Sequence, residues 1–414
     1  VVVAAGCAAA LGAPLIASAA SGDLDRSFGK RGVTLTQVDK TGSGAARVAV
    51  MPNGGLVVAG VGFDGLGEDT DADFAIVGYT ARGKLDQGFG ANGANVFDFG
   101  EDYVWELPHD LAITDEGKIL VGGTTVVADF EAGAGIARLN ADGTFDHSLA
   151  GDGTLNTNPD GLEEATAVLP VADGDFYVVG PARQSVAVAR FNADGALDSG
   201  FAVDGVATHD LGAKARVAHA VLAEDGKIVA VVDSDALGAH KFGLIRFSSD
   251  GTIDTTFGRD GLAKAPGSGV TELALDSAGR LVAAGGRTIA RFEGDGALDA
   301  SFADRGTFEF GRAKRFSAEG LAVRPNGSLV LCGTAGRRGK HFAVARLKKS
   351  GKLDRRFGAD GFAIEDLGGE DAALGVALQD DKIVAAGRAR GRNLFIGGIG
   401  GRDTRVALAR FADR

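Results

Sequence analysis

"LDRRFGADG", residues 353–361, is one of seven variants of a single phrase. The others are "LDRSFGKRG" from Leu24, "LDQGFGANG" from Leu85, "FDHSLAGDG" from Phe145, "LDSGFAVDG" from Leu197, "IDTTFGRDG" from Ile253 and "LDASFADRG" from Leu298. Their spacings of 61, 60, 52, 56, 45 and 55 residues mark a repeat architecture, in which each unit covers the apolar surface of the next.

Each period holds four short segments of strand character. In the period that ends at the quoted stretch they are "GLAVRP", "LVLCG", "FAVARL" and "GFAIED". A tight turn such as "PNGS" separates the first two, paralleled by "DEGK", "EDGK" and "SAGR" elsewhere, which is hairpin chemistry. The second segment recurs as "LVVAG", "ILVGG", "FYVVG", "IVAVV", "LVAAG" and "IVAAG", continuous apolar runs of the kind found in strands buried on both faces. No amphipathic helical period competes.

The expected fold is therefore all-β: a seven-bladed β-propeller of four-stranded antiparallel blades, which hides its sheet edges by radial repetition. A solenoid is the rival, and the chain ends decide between them. "VALARFADR", residues 406–414, supplies a third segment and the start of a turn, and "SGDLDRSFGKRGVTLTQ" from Ser21 supplies the rest of that turn and a fourth segment. The N-terminal strand is thus expected to complete the last blade and close the ring, making residues 20–414 one domain; a solenoid would carry polar caps instead.

The phrase itself reads as scaffold. Phe28, Phe89, Phe201, Phe257, Phe302 and Phe357, with Leu149 in the remaining copy, are packing wedges between neighbours. Gly32, Gly93, Gly153, Gly205, Gly261, Gly306 and Gly361 suit a turn that needs positive φ or close backbone approach. The aspartate of each copy is expected to accept backbone N–H groups within the turn.

Taken with the "DGKIVVAG"-like and "FAVARF"-like strands, the phrase resembles that of the bacterial delta-60 repeat family over residues 22–414. The resemblance implies a propeller-type scaffold and carries no catalytic residues with it. Leu149 in place of Phe, "QDDK" without its glycine, and Gly78 where other third segments carry arginine depart from the pattern.

The 414 residues are 45% hydrophobic and 24% charged, with 66 glycines against 8 prolines, a composition for many tight turns around a large core. The net charge of −12 disfavours a nucleic-acid partner, because no basic excess is available to displace phosphate counterions. Residues 1–19 are almost wholly apolar or small and end in "ASA", so they read as a signal peptide that lacks its charged start. Cys7 after "VAAG" loosely matches a lipoprotein box. The expectation is a secreted or cell-envelope protein, monomeric, with no integral membrane span after processing. Cys332, where sister repeats carry Ala or Gly, reads as a small buried thiol.

Functional residues are expected on the face where connections vary in length, from two residues at Gly286 and Arg287 to eighteen at Arg388–Arg405, because recognition concentrates in variable loops on a rigid frame. The expected loop "EDYVWELPHD", residues 101–110, holds the only Trp, Trp105, with Tyr103, His109 and Asp110, a combination that suits a platform for a sugar ring. Arg47, Asp110, His219 and Glu272, with Glu164, Glu319 and Asp371 nearby, are expected at the channel mouth and differ from unit to unit.

No cofactor is expected. "NADGTFD" and "NADGALD" resemble half of a calcium loop, yet the position that needs a carboxylate holds Arg138 and Arg190, which predicts an internal arginine-to-aspartate contact in place of Ca²⁺. The acidic stretch from Asp64 to Asp73 is a separate weak calcium candidate. "GVGFDG" from Gly60 leads into that stretch and not into a helix, so it is no dinucleotide loop. His109, His209, His219, His240 and His341 map to the variable face, and His147 belongs to the phrase. Three functions stay open: a scaffold that binds a glycan or protein, a hydrolase or lyase using His109, Asp110, His219 and Glu272, and a structural surface protein.

Overall fold

The computed structural model describes residues 20–39, 42–64, 71–100, 103–127, 132–238, 241–312, 314–337, 341–390 and 404–413. The expected signal peptide, Cys7, His240, and most of the acidic stretch and of the longest connection lie outside these residues. Among the described residues no helix is long and apolar enough to cross a membrane.

The architecture is all-β and propeller-like. Five sheets have four strands each, and a sixth has eight. Ser317–Val323, Leu329–Ala335, His341–Leu347 and Phe362–Glu365 illustrate the unit, pairing antiparallel in chain order. The eight-stranded sheet joins two such meanders, Gly42–Phe97 and Tyr103–Thr157, through one parallel bridge between Ala72 and Trp105. Both chain ends share a sheet, where Val33–Thr36 pairs with Thr404–Ala412.

Apolar residues collect between sheets. One cluster brings Val179 and Val188 against Ala230 and Ile245 of the following unit, and another brings Phe28, Val384 and Leu408 of the sheet holding both ends against Leu56 and Val58 of the first. Second strands meet neighbours on both faces, so Leu329, Val330, Leu331 and Cys332 are all fully buried, and each contributes to a different inter-sheet cluster in alternation. The thiol of Cys332 is free, and burial pushes it up.

The repeated phrase locks the junctions. All seven aspartates accept the N–H two residues ahead, at 2.8–3.3 Å. Six also meet the arginine that the third strand provides: Arg138 with Asp146 and Arg291 with Asp299 at 2.7 Å, Arg246 with Asp254 and Arg346 with Asp354 at 2.9 Å, Arg410 with Asp25 at 3.0 Å, and Arg190 with Asp198 at 3.2 Å. This is the contact the sequence foretold. Where Gly78 replaces the arginine, the Phe89 ring takes the space.

Each wedge residue is buried and reaches under the turn of the adjoining unit; a β-carbon on Gly83, Gly143 or Gly351 would collide with Phe28, Phe89 or Phe302. The following residue donates its N–H to that turn, from Gly29 to Arg82 and from Gly358 to Ser21, with five equivalents between. The seven closing glycines have φ between +88° and +104°, a region costly for side chains with a β-carbon.

Candidate functional site

The register places one residue of each first strand opposite the fourth residue of the apolar second-strand run. Arg47 faces Ala59, Asp110 faces Gly122, Ala167 faces Val179, His219 faces Val231, Glu272 faces Ala284, Gly320 faces Cys332 and Gly375 faces Ala386. In five of these strands a one-residue irregularity precedes the position, at Ala46, His109, Ala218, Glu319 and Leu374. Such bulges re-aim the side chains that follow.

Four of the seven positions carry ionisable groups, and the fold brings them together. Arg47 Nη2 lies 3.0 Å from Glu272 Oε1. Asp110 Oδ1 lies 3.9 Å from Arg47 Nε and 3.6 Å from His219 Nε2, while Asp110 Oδ2 accepts the Val168 N–H at 2.9 Å. The other positions are small because space is short: a β-carbon at Gly320 would strike Cys332 Sγ, and one at Gly375 would lie 3.0 Å from Arg47 Cα.

Burial alone would raise the Asp110 carboxyl, but the His219 contact, the Arg47 charge and the Val168 N–H outweigh it and hold it at about 2. Burial works against the charged form of His219, yet Asp110 and Glu272 raise it above its ordinary value. Glu272 is raised by burial despite Arg47 and His219. His109 is pushed down to about 4 by burial and by the Arg47 charge, and its Nε2 sits 2.6 Å from Thr124 Oγ1. Arg47 Nε and His219 Nδ1, both buried, have no hydrogen-bond partner among the described residues.

Beside this cluster lies a cavity of about 230 Å³ whose lining includes Arg47, His109, Glu164, Arg216, Glu272 and Glu319. Burial raises both Glu164 and Glu319. Of the residues expected at the channel mouth, Arg47, Glu164, Glu272 and Glu319 line this space, and Asp110 and His219 stand in the cluster beside it. Asp371 lines an adjoining cavity of about 600 Å³ with His109, Arg388 and Arg390, and its Oδ2 accepts the Leu367 N–H. Arg216 was missed by the sequence reading. The available signal was its offset, three residues before His219 as Glu164 is three before Ala167.

The expected loop at 101–110 is corrected. Tyr103–Ile113 is a strand, paired with Ile119–Val127, because its backbone groups are satisfied by a long hairpin instead of by turns. Asp110 and His109 are consequently inside the sheet, while Trp105 stands toward the strand's start and is 36% exposed. The aromatic and ionisable groups do not share one exposed loop, and the Tyr103 side chain lies outside the described residues. His209 sits in the strand Val206–Asp210, His341 begins a third strand, and neither lines the small cavity. Among the described residues no group of three His, Cys, Asp or Glu is placed to hold a metal ion.

These features define the class as a β-propeller repeat protein. Residues 116–149, 171–201, 223–257 and 279–302 match a family described as a domain of unknown function (DUF5122) beta-propeller, each match ending at a wedge residue. No curated protein matches the chain. Among solved structures, a protein of unknown function from Dyadobacter fermentans is 13% identical over 92% of this chain and 100% of its own, with a TM-score of 0.48. A protein from Lactobacillus plantarum is 15% identical over 81% and 94%, with a TM-score of 0.46. The calcium-binding protein regucalcin from Agrobacterium tumefaciens is 11% identical over 74% and 91%, with a TM-score of 0.41.

Proposed function

We propose that the chain is a seven-bladed propeller closed into a ring, secreted or associated with the cell envelope, that binds a glycan or protein ligand over the axial cavity. Ring closure is supported by the junction bonds, which run from unit to unit and return from Gly29 to Arg82, and by the apolar cluster between the last sheet and the first. The observation that carries the binding role is the divergence at one register position. Arg47, Asp110, His219 and Glu272 occupy sites that Ala or Gly fill in other units, so the fold does not require them. Their unmet polar atoms and the adjoining carboxylates suit a ligand rich in hydroxyl or amide groups.

A thermal-shift screen of residues 20–414 against envelope glycans and divalent cations, with and without chelator, tests the reading. A folded-state ligand raises Tm by mass action, and the shift is expected to vanish in Arg47→Gln. A flat screen speaks for a protein partner or a structural role. The second reading, catalysis, is favoured by one feature: Asp110 held low beside a raised Glu272 separates a base from an acid. Turnover of a glycan, lost in Glu272→Gln with binding retained, would establish it.

A further inference from the structure

The net charge of −12 conceals an asymmetry on the face that carries the repeated phrase. The stretches 348–360, 20–31 and 80–92 hold ten Lys and Arg against five Asp, whereas the equivalent stretches 140–152, 192–204, 248–260 and 293–305 hold two Arg against thirteen Asp and Glu. The three basic stretches are neighbours, tied by the Gly358 to Ser21 and Gly29 to Arg82 hydrogen bonds. They therefore form one continuous sector.

All ten cations are exposed. None of them enters an ion pair with any described residue, while two of the five aspartates, Asp25 and Asp354, are already held by Arg410 and Arg346. The repeat provides its own control on structural need. At Lys349 and Ser350 the sister turns carry Ala193 and Asp194, or Gly294 and Asp295, on the same backbone, so the turn forms without lysine.

We infer that this sector, centred on Lys348, Lys349, Lys352, Arg355 and Arg356, is a docking surface for a polyanionic polysaccharide, on the face opposite the axial ligand site. A charged track over three adjoining turns suits a chain more than a small ion, since each neutralised group releases a condensed counterion. The sector lacks a stacking platform for bases, because its only aromatic residues, Phe28, Phe89 and Phe357, are buried wedges. It also lacks exposed large apolar side chains for insertion into a bilayer. A carboxylate- or sulfate-bearing polysaccharide needs neither. The acidic units on either side confine the polymer to the basic arc.

The test titrates residues 20–414 with heparin and polygalacturonate at stepped salt, alongside single-stranded DNA and phosphatidylglycerol vesicles. Binding of the polysaccharides is expected to weaken steadily with salt. Lys348→Gln, Lys352→Gln, Arg355→Gln and Arg356→Gln combined should lower affinity about tenfold or more. Arg259→Gln with Arg305→Gln, the same change on two acidic turns, should leave it unchanged. Circular dichroism on both variants checks the fold. Absence of polysaccharide binding at low salt, or equal affinity for the fourfold variant, overturns the docking surface; tighter binding of DNA or vesicles overturns the polysaccharide assignment.

Discussion

The turn phrase and the first-strand position held by Arg47 occur once per unit, yet they differ in how much they vary. At the turn, seven aspartates make the same bond, and seven wedge residues occupy the same niche. At the shared first-strand position, the seven equivalent residues are Arg, Asp, Ala, His, Glu, Gly and Gly. The difference lies in what each side chain touches. A wedge meets a copy of the same neighbouring turn everywhere, so one kind of side chain, Phe in six units and Leu149 in the seventh, solves every junction. The first-strand side chains also meet residues of non-adjacent units, as Arg47 meets Glu272 and Asp110 meets His219, so their surroundings are not copies of one another.

The largest effect is expected where the comparison is broken at the junction. Phe302→Ala empties a fully buried niche between units and leaves Arg291, now 4.5 Å from the ring centroid, without its cover. A loss of about 3–5 kcal/mol is expected, read by urea unfolding.

An intermediate effect separates His109 and His219, which respond to pH with opposite sign. The folded pKa of His219 lies above its ordinary 6.5. Its contribution is complete below pH 6.5 and is lost as pH rises through the raised value. The folded pKa of His109 lies at about 4, below 6.5, so the unfolded chain takes up the proton first, and stability declines as pH falls from 6.5 toward 4. Asp110, held at about 2, adds a further loss as pH drops from its ordinary 3.8 toward 2. In Tm-against-pH profiles, His219→Gln should flatten the alkaline limb, and His109→Gln should flatten the limb between 6.5 and 4. Identical profiles for both variants would show that the two histidines do not titrate in opposite directions.

The smallest effect is expected at Trp105, which is partly exposed and lines neither cavity. Trp105→Ala should change stability by no more than about 0.5 kcal/mol, measured by the same unfolding. A larger loss would show that the side chain packs on its sheet and is no surface platform.

Much of the fold was legible because its determinants are local. The bond from Asp354 to the Arg356 N–H spans two residues, the positive φ of Gly361 belongs to one, and the burial of "LVLCG" follows from its run of apolar side chains. The arginine-to-aspartate contact was legible for the same reason, Arg138 and Asp146 standing eight positions apart. The candidate residues Arg47, Asp110, His219 and Glu272 could be chosen as deviations from a repeat. Their pairing could not. Arg216 was missed because its offset has meaning only once the register of the first strands is known, and the extension of the first strand back to Tyr103 was missed because its partners, Thr124–Val127, lie beyond the apolar run of the second strand.

By itself the sequence determined the unit: four strands, a hairpin, and a turn whose Asp, wedge and glycine meet backbone needs within a few residues. Only the tertiary structure decided which charges meet. Arg47 and Glu272 stand 225 positions apart, and their 3.0 Å contact depends on how the intervening units stack. The basic sector has the same origin, for three stretches that are scattered along the chain become one surface when the last turns are hydrogen-bonded to the first.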